Sequence, residues 1–323
     1  MLASRKTRFY ADSIETRPGD PQTFACATYQ AVEGETQSRD GDISILKHKE
    51  NSLEELSVAD VGGVLDMWWA SQDTLYAARA FGEMLCIRCD DNGVISKLSS
   101  NQVTDVTLLA VDGDPDSIVT SDVAGNVYTL DPSLNKITQT IRAVHGARGW
   151  GHEVWGLALD KFSSSLVYTG GDDCVLACHD LRSPSTPVFT SSHYEMGVCC
   201  ISPPPTATLR YDLLVGSYDE SLAHWDKRSM KEPVRSCSIG GGVWRVKRSP
   251  FGEFALVAGM HSGFHVVDLE RLEVVKTFKE HESLAYGADW LEDGLVATCS
   301  FYDSLVSVWD SEVHGIERAL NGV

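Results

Sequence analysis

The sequence has 323 residues, of which 43% are hydrophobic and 23% charged, as in globular proteins that bury a sizeable core. Its formal net charge of −19 argues against nucleic acid as a partner, because phosphate binding needs clustered Lys and Arg. The charge favours a basic partner, or simply a well-solvated acidic surface. No apolar run is long enough to span a membrane, and the N-terminus lacks the apolar stretch of a secretion signal. With nine scattered cysteines, we expect a cytoplasmic protein with reduced thiols.

The N-terminal part of the chain contains short apolar segments of strand length, in three groups separated by polar turns. The segment 7–10 is strand-like but stands alone, and the acidic stretch 33–40 is predicted to be a loop. The predicted strands cover residues 24–29 and 42–46 in the first group, 64–69, 74–78 and 84–87 in the second, and 103–108, 118–120, 126–130 and 137–139 in the third.

The C-terminal half shows the same pattern more clearly, in four further groups. In each group, strand-like segments rich in Val, Ala, Cys and aromatic residues are joined by short turns. The predicted strands cover residues 153–158, 166–170 and 174–178, then 197–201, 212–217 and 221–225, then 242–246, 255–259, 264–267 and 274–278, and finally 285–290, 295–300 and 306–309.

A regular spacing links the last four groups. Asp180, Asp226, Asp268 and Asp310 follow one another at intervals of 46, 42 and 42 residues. Two of these residues are preceded by Trp, and His281 lies 28 residues before Trp309. A period of about 40–45 residues with a His near the start and Trp-Asp near the end is typical of the WD repeat, in which each repeat forms one four-stranded propeller blade.

The repeat predicts an all-β fold, a single seven-bladed β-propeller over residues 1–323, which we expect to be monomeric. Only 13 residues follow Asp310, and they contain no good fourth strand for the last blade. We therefore predict that the N-terminal segment, with 7–10 as its strand, completes this blade and closes the ring.

Several residues that resemble catalytic groups have an architectural explanation. Acidic residues recur after the second strand of the predicted blades, as Asp172 or Asp173, Asp219 and Asp303. In WD repeats this Asp binds the His that precedes the inner strand, which we predict to be His152 and His281. Ser300 and Trp309 should complete that network, because buried polar groups must be paired.

Sequence motifs for metal binding or nucleophilic catalysis are weak or missing. Cys86 and Cys89 form a C-x-x-C pair, but on a strand their side chains would point to opposite faces. Neither a G-x-S-x-G nor an H-E-x-x-H motif occurs. We therefore expect neither a metal nor a cofactor.

Polar and aromatic residues recur near the start of the predicted inner strands, which a propeller gathers around its axis. One interpretation is a binding site at this end of the central channel, with Asp66 as a further member. The other is that the aromatic residues pack the blades together and that Arg245 pairs with a carboxylate. The residues concerned are His152, Glu153, Trp155, Tyr194, Glu195, Trp244, Arg245, Tyr286 and Asp289.

Longer runs resemble one particular family, the eukaryotic WD-repeat diphthine methyl ester hydrolases. The resemblance extends over most of the chain and is strongest from about residue 150 onward. It rests on YTGGDDC at 168–174, GSYDE at 216–220, GGVWR at 241–245, SLAYGADW at 283–290 and ATCSFYD at 297–303, with ADSIE at 11–15 and ATYQ at 27–30.

The resemblance implies hydrolysis of a methyl ester on translation elongation factor 2, at a modified histidine that also carries a trimethylammonium group. Such a reaction needs a group that activates water and a group that holds the oxyanion. For these roles we consider His152 or Glu153 and Arg245, respectively. The substrate would contact Trp155, Tyr194, Glu195, Trp244, Tyr286 and Asp289, because aromatic rings and carboxylates suit a quaternary ammonium.

A non-catalytic role is the alternative. Propellers are often scaffolds, for example substrate adaptors of multiprotein ligase complexes, and function has to be argued from a site rather than from the fold. The residues alone favour the scaffold, whereas the resemblance favours the esterase.

Overall fold

Seven four-stranded antiparallel sheets follow one another along the chain, as the repeat predicts. They are seen in a computed structural model that describes residues 1–31, 39–133, 136–147, 150–250 and 252–313. We number the sheets as blades 1 to 7 in chain order and call the first strand of each blade its inner strand. The inner strands contact one another in sequence, and that of blade 7 contacts that of blade 1, so the ring is closed.

The strands of blades 1 to 3 include those predicted, except for the inner strand of blade 3, together with an inner strand for blade 1. They are Ala11–Thr16, Thr23–Thr28, Asp42–Lys49 and Ser52–Asp60 in blade 1, Val64–Ser71, Thr74–Arg79, Glu83–Cys89 and Ile95–Gln102 in blade 2, and Leu108–Gly113, Ile118–Asp122, Val127–Asp131 and Lys136–Ile141 in blade 3.

The strands of blades 4 to 7 lie close to their predicted positions. They are Val154–Leu159, Leu166–Gly171, Leu176–Asp180 and Phe189–Ser191 in blade 4, Val198–Ser202, Asp212–Ser217, Ser221–Asp226 and Arg235–Ser238 in blade 5, Arg245–Arg248, Phe254–Ala258, Phe264–Asp268 and Glu273–Phe278 in blade 6, and Ala285–Trp290, Leu295–Ser300 and Leu305–Asp310 in blade 7.

Connections between the strands carry a few short elements. Gln30–Ala31 pairs with Arg39–Asp40, so the predicted loop 33–40 ends in a strand pair, while most of that loop lies outside the described residues. Gly146–Ala147 pairs with Trp150–Gly151. Two 3₁₀ turns cover Ala207–Leu209 and Glu292–Gly294. No helix in the described parts of the chain has the length and apolar character needed to cross a bilayer.

The four aspartates that define the period are the last residues of the third strands of blades 4 to 7, namely Asp180, Asp226, Asp268 and Asp310. In each case the carboxylate accepts a hydrogen bond from the backbone N–H two residues further on, at 2.6–2.9 Å. This is the local turn that Asp favours, because its short side chain binds the backbone of the next two residues. The period in the sequence therefore marks the same turn in four successive blades.

Ring closure by the N-terminus is confirmed, but the predicted strand 7–10 is wrong. The fourth strand of blade 7 is Ala3–Lys6, which pairs with Leu305–Val308 in antiparallel register. Only Ala3 of these four residues is buried, so the strand leaves little apolar signal in the sequence. Tyr10, which suggested the strand, instead packs its ring against Phe301, with the ring centroids 5.0 Å apart.

The predicted inner strand 103–108 of blade 3 is also wrong, because the strand is Leu108–Gly113. Inner strands are covered on both faces by neighbouring blades and therefore read as continuous apolar runs. Residues 108–111 have that character, whereas 103–108 alternates with polar residues. Apolar clusters fill the space between every pair of neighbouring blades.

Candidate functional site at one end of the central channel

The histidine network of blade 7 is architectural, as predicted. Nδ1 of His281 is hydrogen-bonded to Oγ of Ser300, which donates to Asp303. Nε2 of His281 and Nε1 of Trp309 each lie 3.0 Å from Oγ1 of Thr298, which links the two rings. Burial lowers the pKa of His281 to about 4, so the ring is neutral and serves as a fixed hydrogen-bonding group. The resemblance to a catalytic triad is therefore one of residue type only.

In blade 4 the equivalent histidine is His145, and the prediction of His152 is wrong. Nδ1 of His145 lies 2.8 Å from Oδ1 of Asp173, and its Nε2 lies 2.8 Å from Oγ1 of Thr169. The paired segments Gly146–Ala147 and Trp150–Gly151 lengthen the connection between this histidine and the inner strand. His152 consequently falls closer to the inner strand than the histidine of a normal repeat.

In blade 5 a tyrosine takes the place of the histidine. Nε1 of Trp225 donates to Oη of Tyr194 at 2.7 Å, and Tyr194 is buried among the residues between blades 4 and 5. The next residue, Glu195, donates its N–H to Oδ2 of Asp219 at 3.0 Å, as Glu282 does to Asp303 in blade 7. Tyr194 is therefore placed away from the channel, and the Glu195 side chain is exposed.

The end of the channel where the inner strands begin is surrounded by aromatic rings. The centroids of Trp155 and Trp244 are 5.2 Å apart, and Trp244 stacks on Tyr286 at 4.9 Å with an interplanar angle of 23°. Phe301 continues the arc at 5.0 Å from Tyr286 and 4.9 Å from Tyr29. We call these five residues the aromatic arc.

A β-bulge explains why the second residue of most inner strands faces the axis. The strand pairing shifts register around this residue in blades 1, 2, 3, 4, 5 and 7. A bulge adds one residue to a strand and redirects its side chain. The residues at these positions are Asp12, Leu65, Leu109, Trp155, Cys199 and Tyr286.

Beneath the arc lies a small cavity of about 20 Å³. Its lining includes the carboxyl groups of Asp12 and Asp66 and the guanidinium of Arg245, and Nη1 of Arg245 donates to Oδ1 of Asp66 at 2.8 Å. Oδ2 of Asp66 accepts the N–H of Val111 at 3.0 Å. The full lining is Asp12, Tyr29, Leu65, Asp66, Leu109, Trp155, Cys199, Trp244 and Arg245.

Burial and charge act in opposite directions on these groups. Burial, with a contribution from Asp66, raises the pKa of Asp12 to about 8, although Arg245 acts to lower it. For Arg245, burial acts to lower the pKa, but the carboxylates of Asp66, Glu15 and Asp12 outweigh this effect. The pKa is therefore raised above its usual value. The guanidinium is therefore a fixed positive charge, while Asp12 can bind or release a proton near neutral pH.

The other ends of the inner strands line a larger cavity of about 320 Å³, which adjoins the small one and shares Asp66, Trp155, Cys199 and Arg245 with it. Lys247 and Glu15 form an ion pair there. Asp289 lies at this end of its strand, where Oδ2 accepts the N–H of Thr16 at 2.8 Å. The structure therefore separates Asp289 from the residues with which the sequence grouped it.

The predicted site residues thus divide into three sets. Arg245, Trp155, Trp244 and Tyr286 meet at the aromatic arc and the cavity beneath it. His152 and Glu153 lie at the start of blade 4, where the backbone of Glu153 accepts the N–H of Asp172 at 3.0 Å, and neither is among the described residues that line the cavity. Tyr194, Glu195 and Asp289 are placed elsewhere.

Sequence reasoning did not identify Asp12 and Tyr29 as site residues. A signal was available for Asp12, because the second residues of inner strands 2 to 5 recur at intervals of 44–46 residues. The inner strand of blade 1 was not recognised in the sequence. Asp12 lies 53 residues before Leu65, an interval longer than the period, so a search at the regular spacing misses it. Tyr29 lies outside the inner strands and carries no such signal.

Comparisons with known proteins find one matching family model and several similar proteins. Residues 272–310 match the family model described as "WD domain, G-beta repeat". The chain is 32% identical to the mouse protein named "Diphthine methyltransferase", covering 90% of this chain and 69% of that protein. It is 30% identical to the "Diphthine methyltransferase homolog" of Dictyostelium discoideum, covering 93% and 96%, and 32% identical to the human protein named "Diphthine methyltransferase", covering 90% and 74%.

Proposed function

Because the chain belongs to the diphthine methyltransferase family, we propose that it acts in diphthamide biosynthesis and removes the methyl ester from methylated diphthine on translation elongation factor 2. In this proposal the protein works as a monomer in the cytoplasm and needs no cofactor. The observation that carries the proposal is the aromatic arc above a cavity that contains two carboxyl groups and a guanidinium.

The aromatic arc suits the trimethylammonium group of this substrate. A quaternary ammonium cannot donate hydrogen bonds, and it is recognised by the electron-rich faces of aromatic rings. Trp155, Trp244 and Tyr286 contact one another at the channel end, and Asp66 and Asp12 lie beneath them. The rings supply cation–π attraction, and Asp12 adds negative charge at the same place when it is ionised.

Arg245 suits the ester group. Ester hydrolysis passes through a tetrahedral intermediate whose negative oxygen must be stabilised by fixed donors. One donor of Arg245 is used by Asp66, and a guanidinium has five N–H donors, so others can point at the developing oxyanion. The ion pair also fixes the position of the guanidinium before the substrate arrives.

The group that activates water is a separate question. The prediction that His152 or Glu153 has this role stays a prediction, because the backbone places both at the start of the inner strand of blade 4 and neither lines the cavity among the described residues. A substrate that covers the channel end would bring its ester close to this edge as well.

A second candidate is methyl transfer, which is favoured by the name that the relatives carry. The two reactions differ in where the methyl group goes. Hydrolysis releases it as methanol, whereas a transferase moves it between the substrate and another molecule. A non-catalytic scaffold, the third possibility, would leave the ester intact.

The test uses the purified protein and methyl-esterified elongation factor 2 in water enriched in heavy oxygen. Hydrolysis at the acyl carbon predicts methanol release and one heavy oxygen in the new carboxylate. Methyl transfer out of the ester needs a methyl acceptor in the reaction and predicts loss of the methyl group with neither methanol nor heavy oxygen in the carboxylate. An unchanged ester at enzyme concentrations equal to the substrate would contradict the proposed hydrolysis.

A further inference from the structure

We infer that the small cavity holds the attacking water molecule and that Asp12 is the general base that takes its proton. The inference rests on the proposed ester hydrolysis and adds to it the identity of the base. It follows from four observations, namely the size of the cavity, the hydrogen bonding of Asp12, the charges around it and the position of Arg245.

The volume of the cavity decides what it can contain. About 20 Å³ is enough for one water molecule, which needs about 10–15 Å³ by the same measure. A trimethylammonium group is several times larger and has to bind at the aromatic arc above. A water in a protein also needs two to four polar partners, and Asp12, Asp66 and Arg245 supply them here.

Asp12 differs from the other acidic residues of the inner strands in its hydrogen bonding. Asp66 is bound to Arg245 and Val111, and Glu15 to Lys247. The carboxylates of Asp112 and Asp289 accept backbone N–H groups of Leu159 and Thr16.

By contrast, Oδ1 of Asp12 is fully buried and has no hydrogen-bond partner among the described residues. The residue itself is 3% exposed. An unpaired buried carboxyl oxygen is costly, and such groups in native proteins commonly serve chemistry or bind an ordered water. The cavity that Asp12 lines provides the place for that water.

Titratable groups on the neighbouring elements act on the ionisation of Asp12. Arg245 of blade 6 and Arg39 favour its ionised form, whereas Asp66 of blade 2 and burial oppose it. Tyr29, Tyr286 and Cys299 also face it. The resulting pKa of about 8 is close to working pH, where a general base is most effective.

The chemical step balances without any further reactant. The water oxygen bonds to the ester carbonyl carbon as its proton moves to Asp12, and the carbonyl electrons form an oxyanion beside Arg245. When the intermediate collapses, the bond to the methoxy oxygen breaks and Asp12 returns its proton to the leaving group. The products are methanol and a carboxylic acid, which ionises in solution.

The decisive variant is Asp12→Asn, with Asp112→Asn as its matched control. Both change an aspartate of an inner strand to its isosteric amide, but Asp112 is half-buried and lines the larger cavity without lining the small one. We expect Asp12→Asn to lower kcat at least about 100-fold with little change in KM, the scale of general-base catalysis. The Asp112→Asn variant should retain the parent rate.

The pH profile separates a catalytic role from a structural one. The parent kcat/KM should rise as pH increases through about 8, because the base must be ionised. Asp12→Glu keeps a carboxyl group and should keep a pH-dependent rate even if it is slower. The rise should be missing in Asp12→Asn.

The possible outcomes distinguish this inference from the proposed function. An active parent whose Asp12→Asn variant hydrolyses the ester within threefold of the parent rate overturns the inference and leaves the esterase in place, with His152 or Glu153 as the base. If Asp12→Asn does not fold, a parent pH profile without a rise near pH 8 overturns it instead. A parent that releases no methanol overturns both.

Discussion

Buried histidines are the clearest residue-scale source of acid sensitivity in this propeller. Burial lowers the pKa of His179, His265 and His281 to about 4. In the unfolded chain these rings titrate near pH 6.5, so the unfolded state binds more protons than the folded state between these values. The folding free energy that depends on the neutral rings is therefore lost as pH falls from about 6.5 towards 4.

His179 offers the sharpest test of this effect, because neither ring nitrogen has a hydrogen-bond partner among the described residues. We predict that His179→Leu stabilises the fold relative to the parent more at pH 5 than at pH 7.5, by about 2 kcal/mol, the value of the roughly 1.5 pH units between the unfolded pKa of 6.5 and pH 5. Thermal unfolding at the two pH values measures the difference. The exposed His261, changed to Leu, is the control, and an equal gain at both pH values for His179→Leu would contradict the prediction.

Asp12 has the opposite linkage. Its pKa is raised from 3.8 to about 8, so the folded state binds the extra proton and stability is lost as pH rises through this window. We predict that Asp12→Asn, which cannot ionise, melts at a higher temperature than the parent at pH 8, by about 2 °C or more, and that the gain shrinks at pH 5. Calorimetry at both pH values tests this. A variant that melts below the parent at pH 8 would show that the carboxylate stabilises the fold.

Residue identity alone predicted only part of the site. Four of the predicted residues do reach the channel. They could be predicted because they combine an aromatic or charged side chain with a position near the start of an inner strand, and they are Trp155, Trp244, Arg245 and Tyr286. Tyr194 misled the prediction, because a tyrosine that replaces the histidine of a repeat looks like a binding residue until its bond to Trp225 is seen.

At the scale of elements, the N-terminal strand joins the two ends of the chain. Ala3–Lys6 completes blade 7, and without it the third strand of that blade would expose an unpaired edge. We predict that deleting residues 1–7 lowers the free energy of unfolding by several kcal/mol, because the ladder and the packing of Ala3 are both lost. Chemical denaturation measures it.

The control for this deletion is Arg5→Ser, which removes only the partly exposed ion pair with Glu55 and should cost less than about 1 kcal/mol. A deletion variant as stable as Arg5→Ser would mean that the ring does not depend on this strand. A longer deletion, to residue 15, would also remove most of the inner strand Ala11–Thr16 and would not separate the two effects.

Strand positions could be predicted where burial requires a run of apolar side chains. They could not be predicted where a strand is held only by backbone hydrogen bonds. Strands such as Leu213 to Ser217 are apolar because blades cover both faces. Ala3–Lys6 is held mainly by backbone hydrogen bonds and is mostly polar, so its register could not be read from side chains. The bulges that aim residues at the axis are likewise backbone features.

At the scale of the whole molecule, ion pairs join blades that are not neighbours. Arg245 of blade 6 binds Asp66 of blade 2, and Lys247 of blade 6 binds Glu15 of blade 1. These pairs are fixed by the complete ring, which explains why no short motif in the sequence reveals them. The period predicted the number and order of the blades, while the contacts across the axis required the closed structure.

The net charge of −19 gives a further whole-molecule prediction. If a basic surface of elongation factor 2 is steered to this protein, kcat/KM should fall as salt is raised, because ions screen charges more than about 10 Å apart. Glu195 is exposed, and Glu195→Gln, which removes one acidic charge from the surface, should raise KM without lowering kcat. Rates measured over a salt series test both, and a salt-independent kcat/KM would contradict electrostatic steering.

The central claim is that catalysis takes place at the aromatic arc and the cavity beneath it, and the most direct measurement is the hydrolysis rate of Trp244→Ala and Arg245→Ala on methyl-esterified elongation factor 2. We predict that each variant unfolds cooperatively like the parent and is at least about tenfold slower, equivalent to about 1.4 kcal/mol of transition-state binding. Trp68→Ala is the matched control, because Trp68 lines the larger cavity but not the small one, and it should keep the parent rate per folded molecule. If both variants fold normally and hydrolyse the ester at the parent rate, the site lies elsewhere on the propeller.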